Sequence, residues 1–183
     1  MKNKLMSSCG LFAILFLVSG CFSALTPIKI NYYDLNMPAP NPLTDTQIII
    51  ESLENMSGSG EKMRYRTNNN QQLVDDQNRW IQFPDEMIVR YLNTILGGNA
   101  SDKSFRVRGQ LDVFEINLTQ NTASLQCSFT IFEAGTEQQQ SKVYRKTLEL
   151  KEQSPQAFAE AFSNAAAGLS DEIKNLIENW SKR

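Results

Sequence analysis

The chain has 183 residues, with 18 lysines and arginines against 20 aspartates and glutamates, and it contains no histidine. Without histidine, the common Ser-His-Asp and Cys-His catalytic arrangements and histidine-ligated zinc are excluded, while carboxylate or Ser-Lys chemistry stays open. A formal net charge of −2 without a basic stripe argues against nucleic acid as a partner.

Residues 1–20 have the pattern of a secretory signal. Lys2 and Lys4 precede an unbroken apolar run at 11–18, and the small residues Ser19 and Gly20 follow. A basic start, an apolar run of about 7–15 residues and small residues before the cut define such a signal. The run is shorter than the roughly 20 apolar residues that a transmembrane helix needs. We therefore predict a signal peptide at 1–20.

Cys21 follows Val-Ser-Gly directly, and this tripeptide with its cysteine resembles the bacterial lipobox. The resemblance implies that the Cys21 thiol carries diacylglycerol, that a peptidase cuts between Gly20 and Cys21, and that the new amine is acylated. Two or more acyl chains anchor a protein stably where one does not. Phe22, not aspartate, comes next, and by the enterobacterial sorting rule this implies the outer membrane, facing the periplasm. An ordinary signal peptide with a coincidental cysteine is the alternative.

The remaining chain has the size of one domain. We interpret residues 21–30 as a lipidated tether and residues 31–183 as the folded domain. Cys127 is the only other cysteine outside the signal, so no intrachain disulfide is expected. Because Cys127 lies in an alternating apolar pattern, we predict a core residue and not a reactive thiol.

The first half of the domain shows short strands and turns. A strand is predicted at 31–35, and alternating prolines at 38, 40 and 42 favour an extended connection. The three consecutive isoleucines at 48–50 predict a buried strand over 47–53. Turns are predicted at 57–60 and 68–72, with short strands near 63–67 and 73–74.

Two helices are predicted from apolar spacing. After Arg79 and Trp80, Pro84 opens a helix whose apolar side chains recur at steps of three and four until Gly97. Ser154 and Pro155 give the N-cap and first position of a helix of about 25 residues, roughly 38 Å long. Its tail is long enough to reach a partner subunit, although a terminal tryptophan more often packs in the core.

Three alternating strands are predicted between these helices, near 105–118, 123–131 and 143–150. In the first, the apolar parity switches between Val113 and Phe114. A one-residue slip reverses the face of every side chain, so we predict a β-bulge there, with a twist and two covered faces as the alternative. The short turns between these strands favour antiparallel pairing.

The order of these features resembles one family, the ABC-type transport auxiliary lipoproteins of the PqiC-like group. The resemblance covers nearly the whole mature chain and ends in the long C-terminal helix. The motifs that carry it are Tyr32-Tyr33-Asp34-Leu35, the isoleucines at 48–50, Met63-Arg64-Tyr65-Arg66, Arg79-Trp80 and the strand ending in Phe114-Glu115. The chain departs from the family at 54–62, which is polar and glycine-rich where an apolar segment with proline is usual.

The resemblance implies an α/β sandwich with a mixed sheet. Together with the strand and helix patterns, we predict one compact, largely antiparallel sheet with two main helices. It also implies a non-enzymatic protein without cofactor or metal, which docks the MCE-type periplasmic protein of a lipid transporter with an ABC permease and ATPase. An assembly or pilot lipoprotein of another envelope export complex is the alternative, and a homo-oligomer stays open.

A carboxylate-dependent hydrolase is the enzymatic alternative, but the candidate acids lie at helix starts or on strand faces without a motif. These acids are Asp85, Glu86, Asp112 and Glu115.

Four residues are candidates for partner docking: Tyr32, Tyr33, Arg79 and Trp80. Tyrosine, tryptophan and arginine dominate interface energetics. The competing interpretation places Trp80 and one tyrosine in the core and pairs Arg79 with an acid.

Overall fold

The computed structural model describes residues 27–40, 46–98 and 104–180. The predicted signal peptide, Gly20 and Cys21 lie outside this part of the chain. The strands that it describes are β1 (Asn31–Tyr33), β2 (Gln47–Asn55), β3 (Lys62–Asn68), β4 (Gln71–Trp80), β5 (Ser104–Asn117), β6 (Thr122–Glu133) and β7 (Gln139–Glu149), and the helices are α1 (Pro84–Leu96) and α2 (Pro155–Trp180).

The strands form one mixed seven-stranded sheet in the order β1-β4-β3-β5-β6-β7, with β2 also paired to β5. Along one side, β5 pairs in parallel first with β2 and then with β3, while β6 pairs antiparallel along its other side. The pairs β6–β7 and β3–β4 are antiparallel, and β1 lies parallel to β4 at the edge. The predicted α/β class, with a mixed sheet and two helices, is confirmed.

The predicted bulge in β5 is confirmed. Leu111 pairs with Cys127 and Val113 pairs with Gln126, so Asp112 is the extra residue. Its carboxylate accepts a hydrogen bond from the Ser128 hydroxyl at 2.5 Å. Val113 already lies beyond the bulge and is half-buried, so it does not share the buried face of Leu111 as the pattern predicted.

The buried strand predicted at 47–53 is present as β2, but it is buried on one face only. Ile48 and Ile50 are 4% and 3% exposed, whereas Ile49 is 39% exposed, because α1 covers only one face of β2. The free edge of β2 is also covered by α1. The Asn93 side chain accepts from the Ile50 N–H and donates to its carbonyl, both at 3.0 Å, which blocks an otherwise open sheet edge.

Strand β4 is much longer than the short strand predicted at 73–74. It continues to Trp80, which therefore ends a strand before the helix begins. The polar run 75–78 concealed it, because both of its faces lack an apolar pattern. This part of the chain is a strand because it pairs with β3 and β1, not because of a local apolar pattern.

Both helices pack on the inner face of the sheet. Helix α1 begins at Pro84 as predicted, and Ser154 caps α2 by accepting the Ala157 N–H at 3.2 Å. At the end of α2, the Trp180 ring lies 5.9 Å from the ring of Phe105 in the same chain. The tail of α2 therefore packs on its own sheet. Neither helix described is long and apolar enough to cross a membrane.

Candidate functional site

The four predicted docking residues meet where β1 joins β4, but they divide between two faces. In the parallel register, Tyr32 lies opposite Arg79 and Tyr33 lies opposite Trp80. Paired residues point to the same face and successive residues to opposite faces. The structure therefore places Tyr33 with Trp80 on the inner face and Tyr32 with Arg79 on the outer face.

The inner pair belongs to the hydrophobic core. Trp80 is 2% exposed, and its ring packs edge-on against Phe114 at 5.4 Å and Phe162 at 5.8 Å. Tyr33 is half-buried against the same core. The Trp80 ring therefore lies in the core, which is where the competing interpretation placed it.

The outer pair is accessible, and its cation has no counterion among the residues that the structure describes. Tyr32 is 58% exposed, and Arg79 is half-buried with its Nε shielded from solvent and without a hydrogen-bond partner. The expected acid partner of Arg79 is not found among the residues that the structure describes. Acids close by in sequence have other partners, since Asp76 contacts Lys62 at 2.6 Å and Asp34 contacts Arg90.

The chain entering this edge is fastened to the fold immediately after β1. The Tyr33 carbonyl accepts the Ile81 N–H at 2.9 Å, and Leu35 is buried at 3% exposure. The Asn36 N–H donates to the Ser163 hydroxyl of α2 at 2.8 Å. Because these contacts follow one another over a few residues, the preceding segment 27–30 leaves the domain from a fixed point.

Three exposed isoleucines surround this exit point. Ile28, Ile30 and Ile81 are 63%, 38% and 50% exposed. The sequence interpretation assigned the first two to a tether and did not single out Ile81. The alternation Ile28, Ile30, Tyr32 was a detectable signal, since a period of two places these side chains on one face.

The acids considered for catalysis do not converge. Asp112 accepts from Ser128, Glu115 pairs with Arg66, and Asp85 accepts from Asn55 at 2.9 Å. No group of three potential metal ligands from histidine, cysteine, aspartate and glutamate occurs within 27–40, 46–98 and 104–180.

Cys127 is a core residue, as its alternating pattern predicted. It is completely buried, and burial, together with the nearby Asp112 carboxylate, raises the pKa of the thiol to about 12. A reactive cysteine has a lowered pKa and an accessible sulfur. Cys127 therefore has neither property of a nucleophile.

The polar segment 54–62, where the chain departs from the PqiC-like pattern, comprises the end of β2, a connecting loop at 56–61 and the first residue of β3. The Asn55 amide donates to the Ser59 carbonyl at 2.8 Å, and the Ser59 hydroxyl donates to the Phe114 carbonyl at 2.8 Å. Gly58 has φ of 69°, a left-handed conformation that glycine adopts without strain. The loop thus has its own internal bonds and a contact to β5.

Comparison with known proteins places this fold among solved structures. No family model matches the sequence, and no curated protein matches it. A crystal structure of protein XCC0632 from Xanthomonas campestris, assigned to the DUF330 family, superposes with a TM-score of 0.60. It is 15% identical, and the match covers 83% of this chain and 98% of that one. A crystal structure of an uncharacterised protein matches with a TM-score of 0.57 at 16% identity, over 82% and 98% of the two chains. This chain therefore shares the fold of a DUF330 protein.

Proposed function

We propose that this protein is a lipid-anchored accessory protein of an ABC/MCE-type lipid transport system, attached to the outer membrane through Cys21 and facing the periplasm. It acts by docking partner proteins and not by catalysis. Its partners are the MCE-type periplasmic protein and, through it, the ABC permease and ATPase.

Three independent features support the proposal. The N-terminus combines a signal pattern with a lipobox-like cysteine. The motif order resembles the PqiC-like lipoproteins, and the DUF330 family, to which the similar structure belongs, is that group. The observation that carries most weight is this shared fold, because it agrees with a resemblance drawn from motifs alone.

The test compares the wild-type protein with Cys21→Ser in cells that express the whole transport system. We expect the wild type to incorporate labelled palmitate and to recover the MCE-type protein in a pull-down. Cys21→Ser should lose the label and still fold, because the nearest described residues, 27–30, precede the first strand and are exposed.

Two results would contradict the proposal in different ways. If the wild type takes up no palmitate, the anchor is wrong. If the acylated protein recovers an outer-membrane pore as its sole partner, the pilot or assembly lipoprotein is the correct function. Loss of folding in Cys21→Ser would show that residues 21–30 are part of the domain and not a tether.

A further inference from the structure

The surface where the chain leaves β1 has an unusual composition. We name it the tether-side surface and define it by Ile28, Lys29, Ile30, Tyr32, Arg79 and Ile81. It presents aliphatic side chains, one amphipathic aromatic ring and two cations at the edge of the sheet.

We propose that the tether-side surface lies on the membrane, with Arg79 binding the phosphate of an anionic lipid headgroup. Tyr32 and the isoleucines lie at the depth of the headgroups and upper acyl chains. The proposal rests on the lipid anchor in the proposed function, and it adds which face of the domain meets the bilayer.

The first argument is distance. Pro27, the first described residue, comes six positions after Cys21, and a fully extended chain spans at most about 3.6 Å per position. The tether can therefore hold this edge no farther than about 22 Å from the acylated cysteine. The Asn36 N–H donates to the Ser163 hydroxyl at 2.8 Å. The tether therefore cannot become longer unless native contacts of the domain break.

The second argument is the unpaired charge. Placing a guanidinium partly out of water without a partner is unfavourable, and Arg79 has no ion pair with any described residue. Lys29 is exposed and also lacks an ion pair within the described part of the chain. A planar guanidinium fits a phosphate group through two parallel hydrogen bonds, and an anionic membrane supplies phosphates at this site.

The third argument is the apolar content around these cations. Aromatic and aliphatic side chains beside lysine and arginine are typical of surfaces that lie in the bilayer interface. The opposite edge of the sheet provides the contrast. There Val143 is the single large apolar side chain exposed on β7, among polar and charged neighbours.

The first experiment measures vesicle binding of the unacylated mature chain, residues 21–183 with Cys21→Ser. Binding to vesicles of phosphatidylethanolamine with phosphatidylglycerol is expected to exceed binding to phosphatidylcholine vesicles. Arg79→Gln should weaken it about fivefold, because one cation near an anionic surface contributes about 1 kcal/mol. Tyr32→Ala should weaken vesicle binding by a similar factor. Lys29→Gln should also weaken it, and because Lys29 is an exposed residue outside the strands, misfolding would not explain that loss.

The matched controls are Arg145→Gln and Val143→Ala on β7. They change one exposed cation and one exposed apolar residue at the opposite edge of the sheet, and both variants should bind like the parent. Equal losses at the two edges, or no loss from Arg79→Gln, Lys29→Gln and Tyr32→Ala, would overturn the proposal. The proposal would also be overturned if the protein bound inorganic phosphate through Arg79 but did not bind anionic vesicles.

The second experiment fixes the orientation of the acylated protein in vesicles. Compared with the parent, which contains Trp80 and Trp180, Tyr32→Trp should add tryptophan fluorescence that brominated lipid quenches. The fluorescence that Val143→Trp adds should not be quenched. If the tether-side variants bind vesicles like the parent but fail to crosslink to an envelope protein in cells, the surface belongs to a protein partner and the membrane proposal is wrong. Absence of palmitate labelling would refute the anchor alone, since the vesicle assay uses unacylated protein.

Discussion

Within the described residues, the edge strands β7 and β1 each have one side without a partner strand, but they differ in the side chains that they expose. Strand β7 is eleven residues long, pairs along its length with β6, and exposes mostly polar and charged side chains. Strand β1 is three residues long and lies among exposed isoleucines and an arginine without an ion pair in the described part of the chain. Charge on a long edge discourages pairing with other chains. Strand β1 limits such pairing by its short length, and the exposed isoleucines beside its arginine are accounted for if a membrane covers them.

Both edges are nevertheless tied to the same helix. On the β1 side, the Ser163 hydroxyl of α2 accepts the Asn36 N–H at 2.8 Å and donates to the Ala159 carbonyl at 2.6 Å. On the β7 side, the Tyr144 hydroxyl donates to the Ala165 carbonyl at 2.9 Å. The difference between the edges is therefore one of surface chemistry and not of attachment to the core.

The largest expected effect separates the two faces of the β1 edge. Trp80→Ala should lower the free energy of unfolding by about 3–5 kcal/mol, because it leaves a cavity beside Phe114 and Phe162. Tyr32→Ala should change it by no more than about 0.5 kcal/mol. Urea unfolding measures both, and similar losses would show that Tyr32 is part of the core.

A second prediction concerns the β7 edge. Alanine is normally the better helix former than glycine by about 1 kcal/mol, but a Cβ at Gly168 would overlap the Tyr144 hydroxyl. We expect Gly168→Ala to destabilise the protein by about 1–2 kcal/mol. In the background of Tyr144→Phe, which removes that oxygen, the substitution should become neutral or stabilising. A thermal-unfolding cycle over the four proteins tests this, and additive effects would exclude the overlap.

The two ties to α2 allow a direct comparison. Tyr144→Phe removes one hydrogen bond and should cost about 1 kcal/mol, whereas Ser163→Ala removes two, to Asn36 and Ala159, and should cost about 1–2 kcal/mol. Only Ser163→Ala should speed amide hydrogen exchange at Asn36. Ser170→Ala is the matched control, since this buried serine bonds within its own helix, to the Ala167 carbonyl. Faster exchange at Asn36 in that control would point to a general loosening of α2.

The smallest expected effect is acid sensitivity at Asp75 on β4. Burial raises the pKa of this carboxyl, but hydrogen bonds from Tyr65, Asn78 and Gln77 outweigh it and lower the pKa to about 2. Because the folded pKa lies below the unfolded value of about 3.9, the stabilisation is present above pH 4 and is lost as the pH falls toward 2. Solvent screening keeps it under about 1 kcal/mol.

Tyr65→Phe removes the phenol that donates to Asp75 at 2.6 Å, so we expect the Asp75 pKa to rise in that variant. NMR titration of the carboxyl measures the change. An unchanged pKa would mean that the backbone and Asn78 hydrogen bonds alone hold the carboxylate.

The helices and the three strands β5, β6 and β7 could be predicted from the sequence because each has a buried and an exposed face. A covered face imposes a period of 3.6 on α1 and α2 and a period of two on strands, and even the bulge at Asp112 changed that period visibly. Strand β4 could not be found in this way, because its polar run at 75–78 carries no such pattern.

The clustering of aromatic rings, isoleucines and cations near the start of the domain is visible in the order of residues alone. Their roles follow from the fold, because the parallel register of β1 on β4 assigns Trp80 to the core and Arg79 to the outer face. Alternation separates neighbours along a strand, but which face is covered depends on α2, more than seventy residues later in the chain. The sequence therefore identifies the docking candidates as a group, but their division between the two faces depends on this long-range packing.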